Sequence, residues 1–361
     1  MGRIRPLTLE DVTQVAVLHR RVFGDGETDC EDIGERESYL RRVFLDGAES
    51  DPAIASRVFE EEGRIVGFMG VVPREMSFSG NSVLAAVSSQ FIVDPESRSR
   101  MVGVQLLKDF FEGPQDLSIA DEANDAGRKL WEGLGGATAR LYSFYWTRPL
   151  RPSQYAVSLL RGRKGWTRCA VAARPVAAVL DAIAAKFTLR PLRRPRTEAS
   201  GEVISEERLW SYLPEFAGER SLRPDYDMAA LKSVLERAEA RQGCGAFQRI
   251  AVRNSKHDIV GWYLYYLNPG GIGEVLQMAA KPKSNQVVLD HLLHHAWRGG
   301  AAALSGRLQP GWMQVLSENY CFFHGGPWVL VASKRADLLQ TFHEGSAFFS
   351  RCEGEWCLRY R

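Results

Sequence analysis

Apolar positions in the first 150 residues change period in a definite order. Ile4 to Leu7 is a short extended run, and Thr8 stands where a helix cap belongs, with Glu10 and Asp11 beside the exposed amides of the first turn. Val12, Val15, Ala16 and Val22 recur at helical spacing, and the acidic stretch Asp25 to Glu37 reads as a loop and a second helix. Residues 56 to 93 read as an antiparallel meander. Arg57 to Glu60, Arg64 to Phe78 and Ser82 to Val93 are extended and apolar-rich, separated by the turn sequences Glu61-Glu62-Gly63 and Ser79-Gly80-Asn81. Asp94-Pro95 stops the third strand, because proline has no N–H for a central ladder. A helix over Met101 to Phe111, a strand at Leu117 to Ala120, a helix over Asn124 to Leu134 and a strand over Ala139 to Trp146 complete this half.

After about Gly201 the order recurs. Glu206 to Phe216 and Met228 to Ala240 read as helices. Phe247 to Val252 and Ile259 to Leu267 read as strands joined by the turn Asn254 to Asp258. Gly273 to Ala279 reads as a third strand and Gln286 to Trp297 as a helix. Ala301 to Leu308, Trp312 to Phe323 and Trp328 to Ser333 then read as strand, helix and strand.

Charge divides the chain in the same places. Residues 1–147 carry a net −9, residues 148–196 a net +11 and residues 197–361 no net charge, although the whole chain stands at only +2. The expected organisation is a first domain over 1–147, a basic connector over 148–200 and a second domain over 201–361. At 361 residues and 45% hydrophobic content, two buried cores are within reach. The most apolar window, Cys169 to Ala185, is broken by Arg174, Pro175 and Asp181, short of the roughly 20 apolar residues a membrane span needs. Met1 to Leu9 lacks the apolar core of a signal peptide, so the expectation is a cytoplasmic protein with reduced thiols. Cys30, Cys169, Cys244, Cys321, Cys352 and Cys357 form no metal-ligand pattern, and no metal is expected.

The segment with the sharpest chemistry is Phe91, Ile92, Val93, Asp94, Pro95, Glu96, Ser97, Arg98, Ser99, Arg100, Met101, Val102, Gly103, Val104, Gln105, Leu106, Leu107. A strand ends at a proline, small and polar residues follow, and an apolar helix starts. Such a start presents unpaired amides along one direction, and with Arg98 and Arg100 beside it forms a cradle for a pyrophosphate. These residues resemble the acetyl-CoA loop of the GNAT superfamily, V-x-P-x-x-[QR]-x-x-G-x-[GA] followed by two apolar residues. Val93, Pro95, Arg98, Gly103, Leu106 and Leu107 fall in register, and Met101 occupies the first glycine position. A shifted register through Arg100, Gly103 and Gln105 restores that glycine but loses the spacing to Val93 and Pro95. Asn124 to Gly136 resembles the N-x-x-A-x-x-L-Y-x-x-x-G-F helix of the same enzymes through Asn124, Leu130 and Gly135. Gly127 replaces the alanine, Trp131 the tyrosine and Gly136 the phenylalanine.

The resemblance implies an α/β (α+β) protein of two tandem GNAT-like folds, each a mixed, mostly antiparallel sheet flanked by helices. The second is degenerate, since Lys281-Pro282-Lys283 has no arginine–glycine loop. It implies acetyl-CoA or another acyl-CoA as cosubstrate, held by Phe91 to Val93, Arg98 to Val104 and Asn124. A strand N–H of Ile92 or Val93 would face the thioester oxygen. The acceptor implied is a primary amine of a small molecule or cell-envelope precursor. An indole N–H is too weak an acid to protonate a thiolate, which leaves that role vacant at Trp131 or passes it to Tyr142 or Tyr145. Asp121 and Glu122 are the nearest carboxylates for a base. The trio His291, His294 and His295 shares a helix face and reads as a packed or solvated face rather than a metal or catalytic group. The basic connector, with the amphipathic stretch Val171 to Ile183, reads as a solvated linker, a contact with an anionic membrane surface, or an RNA contact. RNA would suit an aminoacyl-tRNA-dependent transferase of the peptidoglycan-bridge type. A non-catalytic GNAT-like scaffold is the other alternative. Oligomeric state is not legible.

Overall fold

A computed structural model describes residues 2–24, 33–47, 52–161, 177, 181, 195–218 and 222–360. The Val171 to Ile183 stretch lies outside them, apart from Ala177 and Asp181. Among the described residues the strands make two sheets. The first runs β1 (Arg3–Pro6), β2 (Arg57–Glu61), β3 (Arg64–Phe78), β4 (Asn81–Val93), β5 (Leu117–Ala123), β15 (Trp328–Ala332) and β6 (Ala137–Thr138), with β9 (Arg223–Pro224) on β3. The second runs β14 (Phe322–Gly325), β7 (Phe144–Pro149), β13 (Ala303–Arg307), β12 (Ile272–Ala280), β11 (Ile259–Leu267), β10 (Ala246–Arg253) and β8 (Ser200–Val203).

Helices α1 (Val12–Phe23) and α2 (Ile33–Phe44) cover one face of the first sheet, and α3 (Val102–Phe111) and α4 (Asp125–Gly133) the other. Helix α3 comes so close to β3 that a Cβ on Gly67 would meet Val102 Cγ1 at 2.7 Å. A glycine is therefore required there. A short helix α5 (Pro152–Arg161) follows β7. Helices α6 (Glu206–Ala217) and α7 (Met228–Ala240) cover one face of the second sheet, and α8 (Asn285–Arg298) and α9 (Met313–Glu318) the other. Helix α10 (Ala336–Glu344) returns to the first core through Leu338 and Phe342.

The two-sheet architecture agrees with the expected fold class, but the sheets do not divide the chain at residue 147. Strand β7, from the first half, pairs with β13 and β14 in the second sheet, whereas β15, from the second half, pairs with β5 and β6 in the first. Other differences are local. Ala139 to Trp146 divides into a 3-10 turn (Arg140–Ser143) and the start of β7, and Trp312 to Phe323 into a 3-10 turn, α9 and β14. Periodicity over so short a stretch does not distinguish a broken element from a whole one. In the connector, Asp181 accepts from the N–H groups of Ser153 (2.7 Å) and Gln154 (3.0 Å), capping α5. No described helix is long and apolar enough to cross a membrane.

Each sheet contains one parallel pair. Strands β4 and β5 pair from Ala85↔Leu117 to Val87↔Ile119 and then diverge; β12 and β13 pair from Ile272↔Ala303 to Val275↔Gly306 and diverge likewise. A bulge marks each divergence. Gln90 and Phe91 of β4 stand opposite Met69 alone, and Leu276 is the extra residue of β12. The second gap is filled by the chain itself: the Gln309 amide makes both a donor and an acceptor bond to the Met278 backbone, and Arg351 N–H donates to Leu276 O.

Arg307, at the end of β13, crosses to the first sheet. Its Nη1 donates to Asp121 Oδ2 and its Nη2 to Glu122 Oε1 at 3.0 Å, with the Arg307 and Asp121 side chains 1% and 0% exposed. Replacing Arg307 by methionine strands two buried carboxylates and is expected to cost about 3–5 kcal/mol in urea unfolding. Combining Arg307→Met with Asp121→Asn is expected to recover a large part of that loss.

Candidate active site

Beyond Val87 and Ile119 the diverging strands open a cavity of about 540 Å³, within the range of small-molecule sites. One wall is Ser88 to Phe91 of β4, and another is Ala120, Glu122 and Ala123 of β5 with Asn124, Gly127 and Trp131. His19 and Phe23 of α1 and Arg36 of α2 close a third side, and Glu355, Arg359 and Tyr360 a fourth.

The bulge shapes the first wall. Gln90 has φ 53, in the left-handed region, and its N–H points into the gap, donating to Glu355 Oε1 at 3.4 Å. The Ser89 hydroxyl donates to the same oxygen at 3.3 Å. Asp94 N–H bonds to Val66 O, so strand alternation puts the Val93 N–H on the gap side and the Ile92 N–H on the ladder side. Behind the bulge, Arg36 Nη1 donates to His19 Nδ1 at 2.8 Å. Arginine is only a donor, so Nδ1 accepts and Nε2–H donates to Gln90 Oε1 at 2.7 Å, which holds His19 neutral.

The acidic wall has a definite order. Asp121 is fully buried, with one oxygen on Arg307 and the other accepting the Glu355 N–H. Glu122 accepts from Arg307 and Tyr145 through Oε1 and from Arg359 through Oε2. Burial first, then Asp121, raises the Glu122 carboxyl. Glu355 is raised to about 8 by burial and by Asp121 and Glu122, against the opposing pull of the Gln90 N–H and Arg359.

The residues picked from sequence separate into three groups. Phe91 and Asn124 line the cavity, and Asn124 Oδ1 also caps α4 by accepting from Gly127 N–H at 2.8 Å. The loop residues do not line it. Glu96 and Ser97 N–H are committed to Asp94, so the amides just past Pro95 close a 3-10 turn (Pro95–Arg100) and do not face outward as expected. The Arg98, Ser99 and Arg100 side chains lie outside the description. Met101 has φ 61 and ψ 21, the left-handed conformation that suits a glycine. The first bond of α3 is Gln105 N–H to Met101 O, so the amides of Val102, Gly103 and Val104 ahead of it have no acceptor within the helix. The third group is out of place. Tyr142, the candidate proton donor, is fully buried, donates to Ala347 O at 2.7 Å and does not line the cavity. Asp121, the candidate base, is tied to Arg307 and the Glu355 N–H and does not line it either.

Trp131 lines the cavity but is 2% exposed, with its ring edge-on to Phe111 at 4.9 Å, so it contributes bulk. His291 and His295 accept or donate at Nδ1 with the Tyr263 and Tyr265 hydroxyls, at 2.9 and 2.7 Å, and burial lowers His291 to about 4. They are packing residues of α8. Among the described residues no cluster of three or more His, Cys, Asp or Glu is placed to hold a metal. Sequence reasoning missed His19, Arg36 and Glu355. Glu355 lies 265 positions from its partner Gln90, and no local pattern signals that contact.

Residues 3–116 match the acetyltransferase (GNAT) domain family. This stretch of the chain is a GNAT domain. The match ends before β5, so Glu122, Asn124, Trp131 and Glu355 lie beyond it. The GNAT architecture recurs in solved structures. A GCN5-related N-acetyltransferase from Anabaena variabilis superposes with a TM-score of 0.58 at 11% identity, covering 92% of this chain and 73% of its own. An Enterococcus faecalis protein described as a probable N-acyltransferase gives 0.58 at 13%, covering 95% and 74%. N-myristoyltransferase from Saccharomyces cerevisiae with bound myristoyl-CoA gives 0.51 at 12%, covering 93% and 79%. At these identities the likeness is one of fold. Comparison with curated proteins gave no match.

A non-glycine residue in the left-handed region costs about 1–2 kcal/mol, and Met101 is 57% exposed, so it loses little packing on truncation. Met101→Gly is therefore expected to raise the urea midpoint, with a gain of about 1 kcal/mol.

Proposed function

We propose that the protein is an N-acyltransferase that moves an acyl group, most simply acetyl, from coenzyme A to a primary amine in the β4–β5 opening. The observation that carries this reading is the opening itself: β4 of the GNAT domain parts at a bulge from its parallel neighbour β5, just beyond that domain, and leaves a lined cavity. The chemistry of the walls suits such a donor. The amides of Val102 to Val104 form an anion-binding end, and the small Gly127 leaves room for a pantetheine arm. The Val93 and Gln90 N–H groups face the gap, where a thioester oxygen would need donors. In the second sheet, among the described residues, the backbone at the corresponding gap is paired by Gln309 and Arg351.

In this reading the protein acts chiefly by bringing donor and amine together and by excluding one side of the cavity from solvent. Neutral His19 keeps Gln90 in place, and Arg36 keeps His19 neutral. A non-catalytic binding protein is the second reading. It is favoured by the buried Trp131, which has no acidic proton to give.

Acetyl-CoA at about a hundred times its dissociation constant is expected to stabilise the fold by roughly 2.7 kcal/mol in a thermal-shift titration. No shift at millimolar acetyl-CoA rejects both readings; a shift with no release of free thiol in the presence of amines favours the second. Gly127→Asp locates the site. A Cβ there meets only Asn124 Oδ1 at 3.5 Å and Ala123 Cβ at 3.6 Å, and an acid in the first turn of α4 favours the helix. The variant is expected to fold normally and lose the acetyl-CoA shift.

A further inference from the structure

Glu355 reaches the cavity from the far end of the chain. Its segment is held on both sides in the second core, by Cys352 before it and Trp356 after it, and the Glu355 N–H is anchored on Asp121 of β5. The side chain then lies across the bulge, Oε1 accepting from Ser89 Oγ–H and Gln90 N–H. Among the described residues no donor reaches Oε2. That distinguishes it from the carboxylates next to it: Asp121 has both oxygens engaged, and so has Glu122.

We infer that Glu355 is the proton acceptor of the acyl transfer, receiving at Oε2 a proton from the ammonium form of the acceptor; this rests on the acyltransferase reading above. One N–H bond of the ammonium breaks, its proton passes to Oε2 and its electron pair stays on nitrogen. The nitrogen bonds to the acyl carbon as the C–S bond breaks, the electron pair of that bond leaving with sulfur. A second nitrogen proton neutralises the thiolate. Glu355 returns its proton to solvent, so each turnover releases one proton.

The surroundings suit the role. Facing Glu355 are Asp121 and Glu122 of β5, Tyr39 of α2, and Arg359 of its own segment, with Arg307 of β13 beyond Asp121. Tyr39 donates to Leu358 O and stays protonated. Burial, then Asp121 and Glu122, raise the carboxyl to about 8 against the Gln90 N–H and Arg359, so the accepting form grows as pH rises through that value. A base with a pKa close to the working pH is the efficient one.

The test compares the wild type with Glu355→Gln and Glu355→Asp, using acetyl-CoA as donor and benzylamine as acceptor, with free thiol as the signal. Each protein is also titrated with acetyl-CoA by thermal shift, and its carboxyl groups are followed by infrared difference spectra between pH 6 and 10. Expected are a wild-type kcat that rises through about pH 8 and a fall of about 10²–10⁴-fold in Glu355→Gln. The rising limb is lost in Glu355→Gln, the acetyl-CoA shift is kept, and Glu355→Asp retains part of the rate. In the spectra, a protonated-carboxyl band should vanish near pH 8 in the wild type and be missing from Glu355→Gln. An unchanged rate and pH profile in Glu355→Gln overturns the inference alone. Absence of any acetyl-CoA shift in the wild type removes the acyltransferase reading, and the inference with it. If benzylamine is not acetylated, the spectra decide: no carboxyl titrating near pH 8 overturns the inference.

Discussion

Arg307 holds the protein in register with itself. A guanidinium from the second sheet, buried to the last few per cent, is matched to two carboxylates at the end of β5 in the first. Burying charges is unfavourable unless each finds its partner, and here every member has one. Because Asp121 also receives the Glu355 N–H, the same ion pair fixes where the C-terminal segment crosses. The position of the cavity's acidic wall thus follows from a contact between sheets.

Exchange of strands between the halves serves the same constraint. With β7 in the second sheet and β15 in the first, neither sheet is completed by a contiguous stretch of chain. Tyr145 on β7 and Arg307 on β13 are then close enough to share Glu122. The segment from Phe348 to Leu358 adds apolar residues to both cores, Phe349 and Leu358 to one and Cys352 and Trp356 to the other. One short segment near the C-terminal end thus packs into both cores.

The two gaps show how one backbone device leads to different outcomes. In both sheets a bulged strand parts from its parallel neighbour. In the second, a glutamine amide satisfies the exposed backbone of Met278, and Gln277 donates to the buried Glu353. In the first, the bulge amide donates to the oxygen of Glu355 at 3.4 Å beside an open cavity. Backbone polar groups at a parting of strands need partners. Whether those partners come from the chain or from a ligand decides whether the gap is core or site.

Periodicity and turn chemistry were enough to read the meander from Arg57 to Val93, the break at Asp94-Pro95, the α3 and α4 helices and the strand–helix order of the second half. Each rests on interactions between residues a few positions apart, which leave a local pattern. The motif around Val93 to Gly103 likewise identified the family, and Met101 at a glycine position was visible as a departure. That the backbone there takes the glycine conformation all the same was visible only in the structure. Tyr142 and Asp121 looked available for chemistry because a sequence shows residue types and not what they touch; one hydroxyl lies in the core and the carboxylate is bound to an arginine 186 positions away. His19, Arg36 and Glu355 entered the site only through tertiary contacts spanning up to 265 residues. Hydrophobic patterning encodes which face of an element is buried, but not which distant side chain will meet it there.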